Sequence, residues 1–137
     1  MSLVLDCSVT LAWVHRDETT KPVEDVFEKL IQAGAWVPGL WRLEIANVLE
    51  MNVRRRRYTT GFRDSALADL ALLPVHLDTE TDRHAWGAIA RLAERHQLTL
   101  NDAAYLELAL RRGLPLATLD KDLRTAARHQ KVQLLGT

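Results

Sequence analysis

Short runs of aliphatic residues alternate along this chain with longer stretches in which apolar positions return every three or four residues. "SLVLD" (residues 2–6) is almost wholly apolar, which suits a strand covered on both faces, and "SVTLAWV" after it predicts a short helix. From Pro22, a residue suited to a first helical turn, Val23, Val26, Phe27, Leu30 and Ile31 recur at helical spacing, and Gly34 stands where a C-cap is expected. "AWVP" (35–38) predicts a second strand with Pro38–Gly39 as its exit turn. Trp41, Ile45, Val48 and Leu49 mark one face of a helix that runs into "RRRR" (54–57), and Phe62, Ala66, Leu67, Leu70 and Leu73 mark another.

A third strand is expected at 75–77, then one long helix from about 81 to 96 with Ala85, Ile89, Leu92 and Ala93 inward. Asn101 reads as the N-cap of "DAAYLELALRR", which Gly113 closes. "LPLATLD" (114–120) predicts a fourth strand, "KDLRTAARH" a helix, and "VQLL" (132–135) a last strand. Strands that alternate with helices predict an α/β fold: a three-layer α/β/α sandwich around a parallel sheet of four to five strands. Such sheets place ligands beyond the carboxyl ends of their strands, where the strand order switches, which draws attention to Asp6 and Asp120.

Composition adds limits rather than a function. With 137 residues and 47% hydrophobic content, the expectation is one domain spanning 1–137. Eighteen basic residues balance eighteen acidic ones, so no net field points to nucleic acid or to a membrane, and any electrostatic footprint must be local. The single cysteine, Cys7, excludes an intrachain disulfide. "MSLVLDCS" lacks the basic and long apolar regions of a signal peptide, and no stretch approaches the roughly 18 apolar residues of a membrane helix. A soluble, cytoplasmic protein is expected.

Candidate chemistry lies in four acids. "LVLD" and "LATLD" each place a carboxylate one step past a buried run, Asp102 would open its helix at the first position, and Glu44 falls in the first turn or so after "VPGL". Each has a plain structural account: Asp6 and Asp120 as helix caps, Asp102 as an acid favoured by the helix dipole, Glu44 as an exposed helical residue. Taken jointly they would face one crevice. Two like charges about 5 Å apart repel by roughly 3 kcal/mol at an effective dielectric near 20, so such a cluster needs protons or a cation. Oxygen donors alone select Mg²⁺ or Mn²⁺ over zinc.

"LDCS", "RLEIANVLE" and above all "LTLNDAAYLELALRRGLPLATLDKDLRTAA" (98–127) resemble the PIN-domain ribonucleases, nearest to the VapC-type toxins of toxin–antitoxin pairs. The resemblance covers essentially the whole chain. It implies a PIN-like fold and places the family's four acids on Asp6, Glu44, Asp102 and Asp120, with Ser8, Asn47 and Thr118 as residues that orient them. "TLDKDL" offers both Asp120 and Asp122 as the fourth acid, and Asp120 is preferred because it directly follows the strand. The implied activity is Mg²⁺- or Mn²⁺-dependent hydrolysis of RNA, with the metal held mainly by Asp6 and Asp102, and the implied partners are a cognate antitoxin and a second copy of the chain.

Arg54, Arg55, Arg56 and Arg57, together with Arg42 and Arg63, could guide an RNA backbone, or could simply solvate a helix end whose dipole favours cations. Four successive residues in a helix would point in four directions. The five histidines show no paired metal spacing, Cys7 has no partner base, and the four tryptophans read as core, with Trp13 and Trp41 open to a partner surface. A dehalogenase-like phosphatase would require an aspartate where Ser8 stands, and a receiver domain would require an acidic pair that "LDCS" lacks. The expected function is thus a metal-dependent endoribonuclease toxin, with a non-catalytic RNA-binding or protein-docking module of the same fold as the alternative.

Overall fold

β1 (Leu3–Leu5) lies at the centre of the sheet in the computed structural model, which describes residues 1–137. Neighbouring residues of a strand point to opposite faces, and Leu3, Val4 and Leu5 are all 0% exposed, so helices must cover both sides. On one flank lie β2 (Ala35–Val37) and β3 (Val75–Leu77); on the other lie β4 (Leu116–Ala117) and β5 (Leu134–Leu135). The order is β3-β2-β1-β4-β5, and every pairing is parallel. Val4 pairs with Trp36 on one side and with Leu116 on the other.

The first and last strands on the switch side are shorter than their apolar runs. Pro115 has no N–H to donate, and β4 is assigned only at Leu116–Ala117 instead of 114–120. Parallel hydrogen bonding nevertheless reaches the strand exits, where the Asp6 N–H donates to Ala117 O (3.0 Å) and the Thr118 N–H to Leu135 O (3.3 Å). These bonds hold the ends of β1, β4 and β5 side by side.

Eight α-helices connect and cover the strands: α1 (Cys7–Val14), α2 (Lys21–Ala33), α3 (Trp41–Arg54), α4 (Thr60–Ala71), α5 (Thr81–His84), α6 (Ala88–His96), α7 (Leu100–Arg112) and α8 (Lys121–His129). α2 begins as its sequence suggests, with Thr20 capping the Val23 N–H and Pro22 in the first turn, and Gly34 ends it at φ 75°. Its buried stripe is narrower than its apolar pattern: Val23, Val26 and Leu30 are inside, whereas Phe27 and Ile31 are 38% and 52% exposed. α4 buries no residue completely, and Phe62 is 42% exposed.

Three further expectations are corrected. The long helix over 81–96 is two helices, because the chain turns through Ala85–Gly87, where Gly87 has φ −112° and ψ −105° and Trp86 is thrown outward at 98% exposure. Thr99, not Asn101, caps α7: its hydroxyl accepts the Asp102 N–H at 3.1 Å, which moves Asp102 from the first helical position to the third. The arginine tract is not helical throughout, since α3 ends at Arg54, Arg55 caps it, and Arg56 turns the backbone at φ 60°. No helix is long and apolar enough to cross a membrane.

Candidate active site

The strand order switches between β1 and β4, and the carboxyl ends of these two neighbours form the floor of the site. Asp6 leaves β1 with only 3% exposure. Its Oδ2 accepts two hydroxyl hydrogens, from Ser8 Oγ and Thr118 Oγ1, each at 2.7 Å. The same hydroxyl oxygens accept backbone N–H groups from the exit of β4: Leu119 N–H to Ser8 (2.9 Å) and Asp120 N–H to Thr118 (3.0 Å). Two hydroxyls therefore tie Asp6 to the turn that presents Asp120.

The capping account of these two aspartates fails. Each occupies the N-cap position of its helix, Asp6 for α1 and Asp120 for α8, yet neither side chain makes a capping hydrogen bond. The Asp6 carboxylate accepts the two hydroxyls instead.

α3 and α7 contribute the other acids from their first turns. Glu44 is half-buried, and its Oε1 accepts the Tyr105 hydroxyl at 2.6 Å. Asp102 is also half-buried, in the first turn of α7. Burial pushes Asp102 up to about 6, helped by the charges of Asp6 and Asp120. Burial likewise raises Glu44, with Asp6 and Asp102 adding to the shift, and raises Asp6 despite the Ser8 and Thr118 hydrogen bonds that oppose it. None of the four acids takes part in an ion pair.

A concentration of carboxylates with raised affinity for protons and no basic partner is suited in donor chemistry to a hard divalent cation. The side chains as placed do not close around one, since no three His, Cys, Asp or Glu groups stand close enough to grip a single ion. Asp6, Glu44, Asp102 and Asp120 are the groups that could hold it.

The remaining expected residues divide. Ser8 and Thr118 join the network described above. Asn47 is exposed and makes no side-chain hydrogen bond, and Asp122 is exposed in the first turn of α8, outside the hydrogen bonds of the site. Among the arginines, Arg63 is engaged by Glu50 (2.8 Å) and Asp64 (3.0 Å), and Arg54 by Glu50 (3.4 Å). Arg42, Arg55, Arg56 and Arg57 are exposed and make no ion pair.

Two residues of this region escaped the sequence reading. Tyr105 was given no role, although its place three positions after Asp102 puts both on one helical face. Burial, then the Cys7, Asp6 and Glu44 groups, push its phenol up, so it remains a hydrogen-bond donor. Thr99 was signalled by "TLND", in which a threonine three residues before an acid has capping-box spacing.

Asp78 provides the internal contrast. It follows β3 as Asp6 follows β1, and its side chain is 0% exposed. Burial alone would raise it, but Arg111 at 2.6 Å, the Thr81 hydroxyl at 2.8 Å and Arg112 at 3.5 Å outweigh that effect and hold it at about 2. A strand followed by aspartate thus recurs, with the charge neutralised at Asp78 and left open at Asp6.

Comparison with known proteins agrees with this architecture. The PIN domain family model matches residues 3–129. The structure is similar to PAE2754 from Pyrobaculum aerophilum, with TM-score 0.68 and 22% identity over 92% of this chain and 84% of that one. It is also similar to VapBC2 from Rickettsia felis, bound to a DNA fragment from its promoter, with TM-score 0.65 and 12% identity over 98% and 97% of the two chains. FitAcB from Neisseria gonorrhoeae gives TM-score 0.63 and 18% identity over 98% and 96%. No curated protein matches in sequence. Since the family model spans nearly the entire chain, the protein belongs to the PIN domain family.

Proposed function

We propose that this chain is a metal-dependent endoribonuclease, with Mg²⁺ or Mn²⁺ as cofactor, that acts in the cytoplasm as the toxin of a toxin–antitoxin pair. The observation that carries the reading is the set of four acids at the β1–β4 switch, with no cation paired to any of them. Membership of the PIN family and the likeness to VapBC2 support the toxin assignment. A cognate antitoxin and a second copy of the chain are the proposed protein partners.

Asp6 and Asp102 are the principal ligands proposed for the ion, and Glu44 and Asp120 complete the oxygen set. When bound, a divalent ion polarises the phosphoryl group and lowers the pKa of water. Ser8 and Thr118 hold the Asp6 carboxylate through Oδ2 and leave Oδ1 free of them. Glu44 or Asp120 accepts the proton of the attacking water as its oxygen bonds to phosphorus, and a solvent water gives a proton to the leaving sugar oxygen as its P–O bond breaks. Arg55, Arg56 and Arg57, exposed and unpaired, are available to the RNA backbone, and Arg42 stands two residues before Glu44.

One observation favours the alternative, a binding module of the same fold: no three acids are gathered around a common point. One experiment decides between them. Purified protein is incubated with a panel of structured RNAs in Mg²⁺ or Mn²⁺, then with chelator, beside Asp6→Asn. Cleavage that requires the metal and falls by more than about a hundred-fold in the variant is expected, as for loss of a group central to the chemistry. Cleavage that survives chelation and substitution overturns the nuclease mechanism.

A further inference from the structure

We propose that Tyr105 is a positioning residue for Glu44, holding that carboxylate by one oxygen so that its charge and its other oxygen remain available to a divalent cation. The inference rests on the metal-site reading above and concerns a residue that reading does not use.

Tyr105 is 0% exposed, and the hydrogen bond to Glu44 Oε1, at 2.6 Å, is the one that its hydroxyl makes. It is also the only hydrogen bond that the Glu44 side chain makes within the chain. A phenol has a single hydrogen to donate, and a buried one requires an acceptor. A carboxylate that accepts it gains a short charge-assisted bond and a defined rotamer. Tyr105 thereby fixes the first turn of α3 from the face of α7 that also carries Asp102.

The choice of donor is informative. Asp78 is oriented by Arg111, and that guanidinium cancels its charge. Asp6 is oriented by the hydroxyls of Ser8 and Thr118, and Glu44 by that of Tyr105, all neutral. Neutral donors fix direction without cancelling charge. In both acids one oxygen is engaged, Oδ2 in Asp6 and Oε1 in Glu44, so each has one oxygen free of these donors. Phenylalanine would fill the same apolar space and leave Glu44 with no side-chain partner at all.

The test is titration with Mn²⁺ alone, followed by calorimetry, on wild type, Tyr105→Phe, Tyr105→Met, Glu44→Gln and the Tyr105→Phe/Glu44→Gln pair. Melting in chelator establishes that each variant is folded. Phe and Met differ in shape but both lack the hydroxyl, so a similar loss in the two, about ten-fold or more in Mn²⁺ affinity, is expected. In the Glu44→Gln background the further change to Phe should alter affinity by less than about two-fold, because its effect passes through Glu44. A merely structural tyrosine would lower the melting temperature and leave Mn²⁺ affinity unchanged, which overturns the proposal. So does an equal loss in both backgrounds. Unchanged affinity in Tyr105→Phe beside lost affinity in Glu44→Gln overturns this inference alone; absence of Mn²⁺ binding in wild type overturns it together with the metal reading.

Discussion

Thr118 acts on two acids through one oxygen, donating to Asp6 Oδ2 and accepting the Asp120 N–H, and it is 0% exposed. Thr118→Val preserves the shape and removes both bonds. A part-buried N–H and a buried carboxylate then lose a partner, which costs about 1–3 kcal/mol by urea denaturation. Metal-dependent cleavage should fall by about ten-fold, since the Asp6 carboxylate is then held by the Ser8 hydroxyl alone. Ser8 and Thr118 could be read from the chain because they stand beside acids in recognisable motifs. Asn47 was proposed on the same basis, but its position on α3 turns it to solvent. Spacing along a helix identifies a face, and packing decides where that face looks.

At the scale of elements, the first turn of α7 shows how small a local choice sets a site. In "TLND" N-cap propensity favours Asn101 over Thr99, and the expectation followed it. The structure uses Thr99, with Gln97 in the left-handed region ending α6 at φ 53°, and Asp102 therefore sits in the third helical position with its own N–H engaged. Thr99→Ala should lower stability by about 1 kcal/mol, read as a lower melting temperature, and Thr99→Ser should restore most of it. The break between α5 and α6 was not legible in the same way. Ala85, Ile89, Leu92 and Ala93 have helical spacing across it, and only the packing of Ile89 and Ala93 against Ala103 and Ala104 reveals that α6 is set by α7.

Across the whole molecule, a net charge of zero conceals separated charges. The acids gather at the start of α3, while Arg55, Arg56 and Arg57 follow its end, about 20 Å along the helix by its rise per residue. Replacing these three arginines with alanine should weaken RNA binding and lower the slope of log affinity against log salt by about 2, as expected for three lost contacts to a single strand. The Asp78–Arg111 pair gives a separate dependence on pH. Asp78 titrates at about 2 when folded and near 3.8 ordinarily, so its stabilisation is complete above pH 3.8 and disappears as pH falls through 2. It amounts to about 2 kcal/mol. In urea, wild type should exceed Arg111→Met in stability at pH 7, and the gap should narrow between pH 4 and pH 2.

The sequence by itself determined the alternation of strands and helices, because burial on both faces of β1 demands a continuous apolar run and the covering helices demand a period near 3.6. It also displayed the acids, since a carboxylate after a buried strand is visible in the order of residues. Tertiary structure decided which of those acids remain unpaired. Asp6 and Asp78 follow their strands alike, but β1 ends beside β4, where two hydroxyls meet the carboxylate, and β3 ends near the last turn of α7, where Arg111 does. Whether a carboxylate has its charge cancelled, as at Asp78, or is only held in direction, as at Asp6, depends on neighbours brought from 33 or 112 residues away, and no local pattern specifies them.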